Sequence, residues 1–541
     1  MMTDTMITTF LAFAAFVLAL LSFIKRIISF RLNAGAVTMK GLFISLIVLA
    51  IVALLDLAIH SISAARLANW YSYLVSLSPN ITYKSVLATI YSHRSQISDF
   101  INILWNTALV SIILYLFYKL INPIRFTKNN AEIYITECAH IIASGIETDM
   151  MQLANEITCS IDDIFQSAIT VNCKKNKYAI QLVTLFSDEM FCRLLIKHNP
   201  GALYVFFEAA IKNCNVDFGA GKQLVRRLIG LLFTENRSLL NREEPYFGLG
   251  RFGTFKKLIF GNYEFLTSEY SPLAGWKIYC ESEINSKAIK KYFEVIEFAL
   301  QSYLEKGDKH PAIFLAVMRE ISDIVRDSAN HLRSIPDEDV YILSDYKILT
   351  ECFLGLSSLI SFIRKNSKLF PVAPDVVKKG YSYFKNDNNI FGALSDGIFK
   401  IIENLSICTC EREAVRLLLI EIFFESLYQP DPLKPFAERV ELLLIEKIDQ
   451  NLKNGFYPAV TANLIYGLGL CEPDKAISTL HKELLTKLKS SFIKLHADKP
   501  KIALDMLPTD TSYDANSKKL IRKHHIRWER NREIEELQLE D

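Results

Sequence analysis

Residues 41–60 read GLFISLIVLAIVALLDLAIH, an apolar run broken by a single acid, Asp56. At a rise of about 1.5 Å per residue, a helix of this length covers roughly 30 Å, the thickness of a bilayer's hydrocarbon core. The same reading holds on both sides of it. Residues 6–24, MITTFLAFAAFVLALLSFI, carry no charge, and residues 101–121 read INILWNTALVSIILYLFYKLI. A buried helix of a soluble protein would explain any one of these runs. Three in close succession predict three transmembrane helices in a membrane domain spanning residues 1–122. A cleaved leader fits the first run poorly: it is preceded by Asp4 and no base, it is long, and Lys25-Arg26 follow directly, although Ala34-Gly35-Ala36 has the look of a cleavage site.

Lysine and arginine set the expected orientation. The loop at 25–40 holds Lys25, Arg26, Arg31 and Lys40 with no acid, whereas the longer loop at 63–100 holds only Arg66, Lys84 and Arg94. Lys119, Arg125 and Lys128 follow the third run. The consistent solution places the N-terminus and residues 63–100 outside, and the basic loop and everything after residue 122 in the cytoplasm. All 10 cysteines fall after the last run, where a reducing compartment keeps thiols free. The expected location is a cell membrane, multi-pass, of the bacterial inner-membrane kind. Asn80-Ile81-Thr82 would be a glycosylation acceptor in a eukaryote.

From about residue 130 onward the apolar spacing is helical. Residues 286–307 put Ile289, Phe293, Ile296, Leu300 and Leu304 on one face, and 411–428 carry a broader stripe. Pro336-Asp337-Glu338-Asp339 reads as a helix start, with early negative charge facing the positive end of the dipole. Alternation of the strand kind is scarce. The expected fold class is therefore all-α: three N-terminal transmembrane helices followed by a large cytosolic α-helical domain, either an irregular bundle or α-solenoid-like. Its expected parts are a first helical stretch at 123–235, an aromatic and glycine-rich insertion at 236–285, a second helical stretch at 286–510, and a charged C-terminal helix or tail at 511–541. No repeat of a named solenoid family is present.

The insertion contains YFGLGRFGTFKKLIFG at 246–261, in which Gly248, Gly250 and Gly253 match G-x-G-x-x-G. A nucleotide loop needs a strand before it or kinase partners after it, because glycine backbone alone positions neither metal nor γ-phosphate. The polar, proline-ended NRSLLNREEP precedes it and no matching lysine, catalytic-loop or D-F-G motif follows. The glycines read as turns between helices. Residues 246–279 also carry many aromatic side chains, which a disordered linker would lack. One reading folds the insertion back onto the helical body. The sharper one makes Phe247, Phe252, Phe255 and Trp276 a docking surface for a partner or for the membrane interface.

Catalytic and metal chemistry find no constellation. Cys408-Thr409-Cys410 is an isolated pair without further zinc ligands, the 10 histidines make no H-E-x-x-H, and Asp162-Asp163 point about 100° apart on a helix. The chain is expected to be no enzyme, with no cofactor and no metal. Within the membrane segments Asp56 lies one turn from His60, and Asn106 falls at nearly the same depth from the outer end. This intramembrane polar cluster reads as hydrogen-bonding glue between helices, with an ion or proton path as the alternative. The C-terminal stretch holds seven bases between Lys518 and Arg532 followed by acids, a spacing that reads as a self-paired helix surface. A formal charge of +2 gives no footprint for nucleic acid.

The expected function is an integral membrane protein that anchors a large cytosolic α-helical interaction or scaffold domain. Its partners are the lipid bilayer, a protein bound by the cytosolic domain, and a second copy of itself. The alternative is a membrane effector or channel whose cytosolic domain senses a signal and whose helices oligomerise to conduct, a layout shared as organisation only with bacterial stress and phage-defence effectors.

Overall fold

The computed structural model describes residues 123–170, 175–242, 254–280, 284–306, 312–333, 337–366, 390–409, 436–440, 442–446, 479–505, 511–523 and 534–540, with isolated positions besides, among them Phe30, Arg31, Asn33 and Ala34. The three segments expected to span a membrane, apart from isolated positions, lie outside the described residues, as do Asp56, His60 and Asn106. The protein is mostly helical with few strands. Two compact units divide at Ala209–Ala210.

In the first unit, α1 (Ala131–Ala143), α2 (Glu147–Thr158), α3 (Ile161–Ile169), α4 (Asn176–Phe186) and α5 (Glu189–His198) precede α6 (Pro200–Lys212), which begins here. Local chemistry sets the starts and stops. Asp162 and Asp163 stand in the first turn of α3, complementing the positive end of the helix dipole. The Asp188 carboxylate accepts from the Phe191 N–H at 3.0 Å and caps α5, whose last turn carries Lys197 and His198. The fold pairs α1 with α4, α2 with α5, and α3 with α4. Phe186, Phe191 and Phe206 meet at ring-centroid distances of 5.7 to 6.4 Å in the core between them.

The second unit contains α7 (Gly219–Thr234), α8 (Thr254–Phe260), α9 (Tyr263–Thr267), a 3₁₀ turn at Lys277–Tyr279, α10 (Ser286–Lys306), α11 (Ala312–Leu332), α12 (Ser344–Lys365) and α13 (Ile390–Thr409). The periodicity at 286–307 corresponds to α10, with Ile289, Phe293, Ile296 and Leu300 buried. Helix α11 is central, packing on both α12 and α13. Asn404 on α13 donates to the Ser322 carbonyl at 3.0 Å and to the Ser322 hydroxyl at 2.9 Å, a half-buried polar tie across that pair. Among the described residues, α12 alone is long and apolar enough to cross a membrane. It serves here as a core helix: Ile348, Leu349, Cys352, Leu356, Leu359, Ile360 and Ile363 are buried along one face, and it packs on α10 and α11.

Two expectations fail. The helix start at 336–339 yields only one short turn, Asp337–Val340, and the chain breaks again before α12 begins at Ser344. The C-terminal stretch, expected as a charged helix or tail, forms strands among its described residues. After α14 (Thr479–Asp498) and α15 (Pro500–Asp505) come β1 (Thr511–Asp514), β2 (Lys519–Lys523) and β3 (Ile534–Gln538), an antiparallel sheet in the order β1-β2-β3. Leu520 pairs with Tyr513 on one side and Leu537 on the other, and Leu520 and Leu537 are buried. Tyr513 packs against Phe492 and His496 of α14 at ring-centroid distances of 5.2 and 4.6 Å. The base-to-acid spacing read as helical pairing is instead cross-strand: Lys519 Nζ meets Glu536 at 2.9 Å, and Lys518 pairs with Glu540.

Candidate functional site

The aromatic insertion is the first place to test for a site. Phe255 and Trp276 are 2% and 0% exposed, so two of the four expected docking rings are core residues, while Phe247 and Phe252 lie outside the described residues. Trp276 sits 4.9 Å from the Phe233 ring and 5.2 Å from Tyr292, whose hydroxyl donates to the Leu273 carbonyl at 2.6 Å. Apolar area dictated this outcome: rings dense enough to resemble a sticky surface bury far more favourably on each other than in water. Among the described residues of the insertion, Ile278 is the large apolar side chain left in solvent.

A buried carboxylate fastens the insertion to α11. Glu320, 7% exposed, accepts the backbone N–H groups of Gly275 at 2.9 Å and Lys277 at 3.0 Å. Gly275 has φ +71°, and a side chain there would also meet Arg226, so the turn that aims these two donors requires glycine. Lys277 in turn donates to the Asp323 carbonyl at 2.9 Å and pairs with the Asp327 carboxylate. Burial pushes Glu320 up, and the backbone donors and Lys277 offset that only in part. Burial also works against Asp327, but the hydrogen bond and charge of Lys277, with Arg326 beside it, outweigh it and hold Asp327 below its ordinary range.

The two acids therefore slope oppositely with pH. The Glu320 contribution is whole below its ordinary value of 4.5 and shrinks as pH rises through its raised folded value. The Asp327 contribution is whole above 3.8 and is lost as pH falls through its lowered folded value. Lys277→Met should remove a favourable partner of both, so it should destabilise the second unit clearly at pH 7 and less at pH 3, which lies below the ordinary values of both acids. Denaturant midpoints at the two pH values check this; equal losses would mean that packing alone matters.

The second place lies in the first unit, where the described residues of the basic 25–40 loop are found. Phe30, Arg31, Asn33 and Ala34 are helical and sit on α1, α2 and the segment leading into them. Phe30, 0% exposed, meets Tyr134 edge-on at 5.0 Å, and Tyr134 meets Phe126 at 5.5 Å. Arg31 pairs with Glu156 of α2, a carboxylate only 3% exposed. Asn33 donates to Glu137 at 2.8 Å, and Asn130 donates to the Ala34 carbonyl at 3.0 Å. The leading segment is itself pinned, because the Phe126 N–H donates to the Ser160 hydroxyl at 2.8 Å. Sequence reading singled out Arg31 for its charge alone. Its partner lies 125 positions away in sequence, a distance across which no periodicity carries a signal.

Among the described residues no group of three or more His, Cys, Asp or Glu side chains is placed to hold a metal ion. Cys138, Cys192, Cys214, Cys280 and Cys352 are buried, and burial pushes the Cys352 thiol up to about 12. Cys159 is free and exposed. No family model matches the chain, and neither a curated protein nor a solved structure matches it.

Proposed function

We propose that the chain is a multi-pass membrane protein that holds a large cytoplasmic helical body at the bilayer as an interaction scaffold. The observation that supports it most is the contact of Phe30, Arg31, Asn33 and Ala34 with α1 and α2. Residues that touch lie on one side of any bilayer. Between this loop and the body run the segments at 41–60 and 101–121, so the chain crosses an even number of times between them. Two crossings satisfy that condition, agree with the basic loop lying inside, and leave the first segment to carry the N-terminus out.

A membrane-impermeant maleimide, read peptide by peptide, tests the topology. In intact cells Ser78→Cys should be labelled while the exposed Cys159 reacts only after permeabilisation. Reaction of Cys159 in intact cells, or protection of Ser78→Cys, would overturn the orientation. Liposomes reconstituted with the full chain should match the ion permeability of protein-free vesicles. Flux above that background would replace the scaffold reading by the channel one and turn attention to Asp56.

A further inference from the structure

Near the C-terminal sheet, two exposed aliphatic side chains stand among lysines. From α14 and α15 we infer that this corner is a second membrane contact: it docks on the surface of an anionic bilayer, with Ile502 and Leu504 entering the headgroup layer and lysines meeting lipid phosphates. Which leaflet it meets rests on the function proposed above; the affinity for anionic lipid rests on these two helices alone.

The sequence gives α14 two unlike sides. Leu484, Leu488, Phe492 and Leu495 are buried, and Tyr513 of the sheet packs on Phe492. The solvent side carries lysine. Residues 479–505 hold six lysines against three acids, Glu483, Asp498 and Asp505, although the whole chain has a formal charge of only +2. Lys482, Lys494, Lys499 and Lys501 are exposed and Lys489 is half-buried, and none of these five makes an ion pair among the described residues. The lysines of the neighbouring sheet differ, since Lys518 pairs with Glu540 and Lys519 with Glu536. Cations left without acids inside the fold attract an anion from outside it.

The aliphatic pair decides which anion. The Lys499 N–H donates to the Leu495 carbonyl at 2.7 Å as α14 ends, and Pro500 opens α15, a position where its missing N–H costs nothing. The Ala503 N–H donates to the Lys499 carbonyl at 3.1 Å, which gathers Lys499, Lys501, Ile502 and Leu504 within about one and a half turns. Ala503 is buried and anchors this short helix, while Ile502 and Leu504 beside it are 44% and 46% exposed. A nucleic-acid backbone would engage the lysines and leave both aliphatic groups in water. A bilayer surface takes both kinds of group, apolar side chains at the headgroup boundary and bases at the phosphates. Asp498 and Asp505 bracket the turn and oppose its lysines, so the contact depends on how much anionic lipid the leaflet holds.

Lysine acylation on the full chain in lipid nanodiscs, read peptide by peptide, tests the contact. Discs of phosphatidylcholine alone are compared with discs that also contain about 30% phosphatidylglycerol. In the anionic discs acylation of Lys494, Lys499 and Lys501 should fall about fivefold, while the exposed Lys347 of α12 keeps its rate. Salt at about 0.5 M should return much of the lost reactivity. Ile502→Ser combined with Leu504→Ser should bring it to within about twofold of the phosphatidylcholine value. Lys499→Glu combined with Lys501→Glu should likewise free Lys494, and it answers the question if the serine variant fails to accumulate. Equal reactivity in the two kinds of disc, or protection that survives the serine pair, overturns the proposal. Protection by a single-stranded oligonucleotide with none by phosphatidylglycerol assigns the lysines to nucleic acid and overturns it as well. A disc exposes both leaflets, so maleimide labelling can fail while this contact stands, and the reverse.

Discussion

Replacing Trp276 with alanine should cost the second unit about 4 kcal/mol, the range expected when a fully buried large aromatic is removed and its site collapses only in part. The ring is 0% exposed and wedged between Phe233 and Tyr292, so its removal opens a cavity bounded by three helical elements. The backbone carbonyl that alanine retains still accepts from the Tyr279 N–H at 3.2 Å, so the loss is that of the ring rather than of the 3₁₀ turn. With total stabilities of about 5–15 kcal/mol for a domain, such a loss removes much of the margin. Denaturant unfolding followed by hydrogen exchange should show it confined to residues 254–306, with the first unit unaffected. A loss below about 1 kcal/mol would mean that the ring is a surface feature after all and would reopen its role in docking.

Gly355→Ala tests packing against propensity, and the two disagree in sign. In an exposed helix interior, alanine for glycine stabilises by about 1 kcal/mol. At Gly355 of α12 an added Cβ would stand 2.2 to 2.5 Å from ring atoms of Phe293 on α10, and Phe293 is itself only 5% exposed. The ring has no free space to enter, so the helices must part or the ring must leave its rotamer, at a cost of about 3 kcal/mol for overpacking of this kind. The net expectation is a loss of roughly 2 kcal/mol after subtracting the propensity gain. Adding Phe293→Leu should recover most of it. Stabilisation by Gly355→Ala alone would show that α10 and α12 do not approach as closely as their side chains indicate.

Much of the helical body was legible because its signal is local. The stripe at 286–307 needs no knowledge of what it packs against, and Ile289, Phe293, Ile296 and Leu300 are buried as that periodicity requires. What escaped was set by long-range pairing. Lys518, Lys519, Glu536 and Glu540 look like a helix surface when read along the chain, and their partners across the strands become visible only once β2 and β3 are side by side. The aromatic insertion was ambiguous for a different reason: composition reveals how much apolar area a segment has, not which way it faces. Trp276 faces inward in the turn that Glu320, distant in sequence, holds through the Gly275 and Lys277 N–H groups, and Phe255 is buried on α8. The contact of Arg31 with Glu156 had no sequence signal at all, since the charge of the loop had already been read as an orientation signal for the expected membrane segments.

The C-terminal sheet ties the quality of the chain to the order in which it is made. Its middle strand, β2, leaves the ribosome before β3, so until residues 534–538 emerge one edge of β2 offers open backbone N–H and C=O groups beside the apolar Leu520. Open edges of this kind pair with whatever strand is near and attract chaperones and proteases. A nascent or prematurely stopped chain thus carries a mark of incompleteness near its growing end, and β3 erases it when Leu537 comes to lie opposite Leu520. A chain cut short between β2 and β3 would therefore be distinguishable from one that includes β3 by a strand edge, rather than by any loss in the helical body.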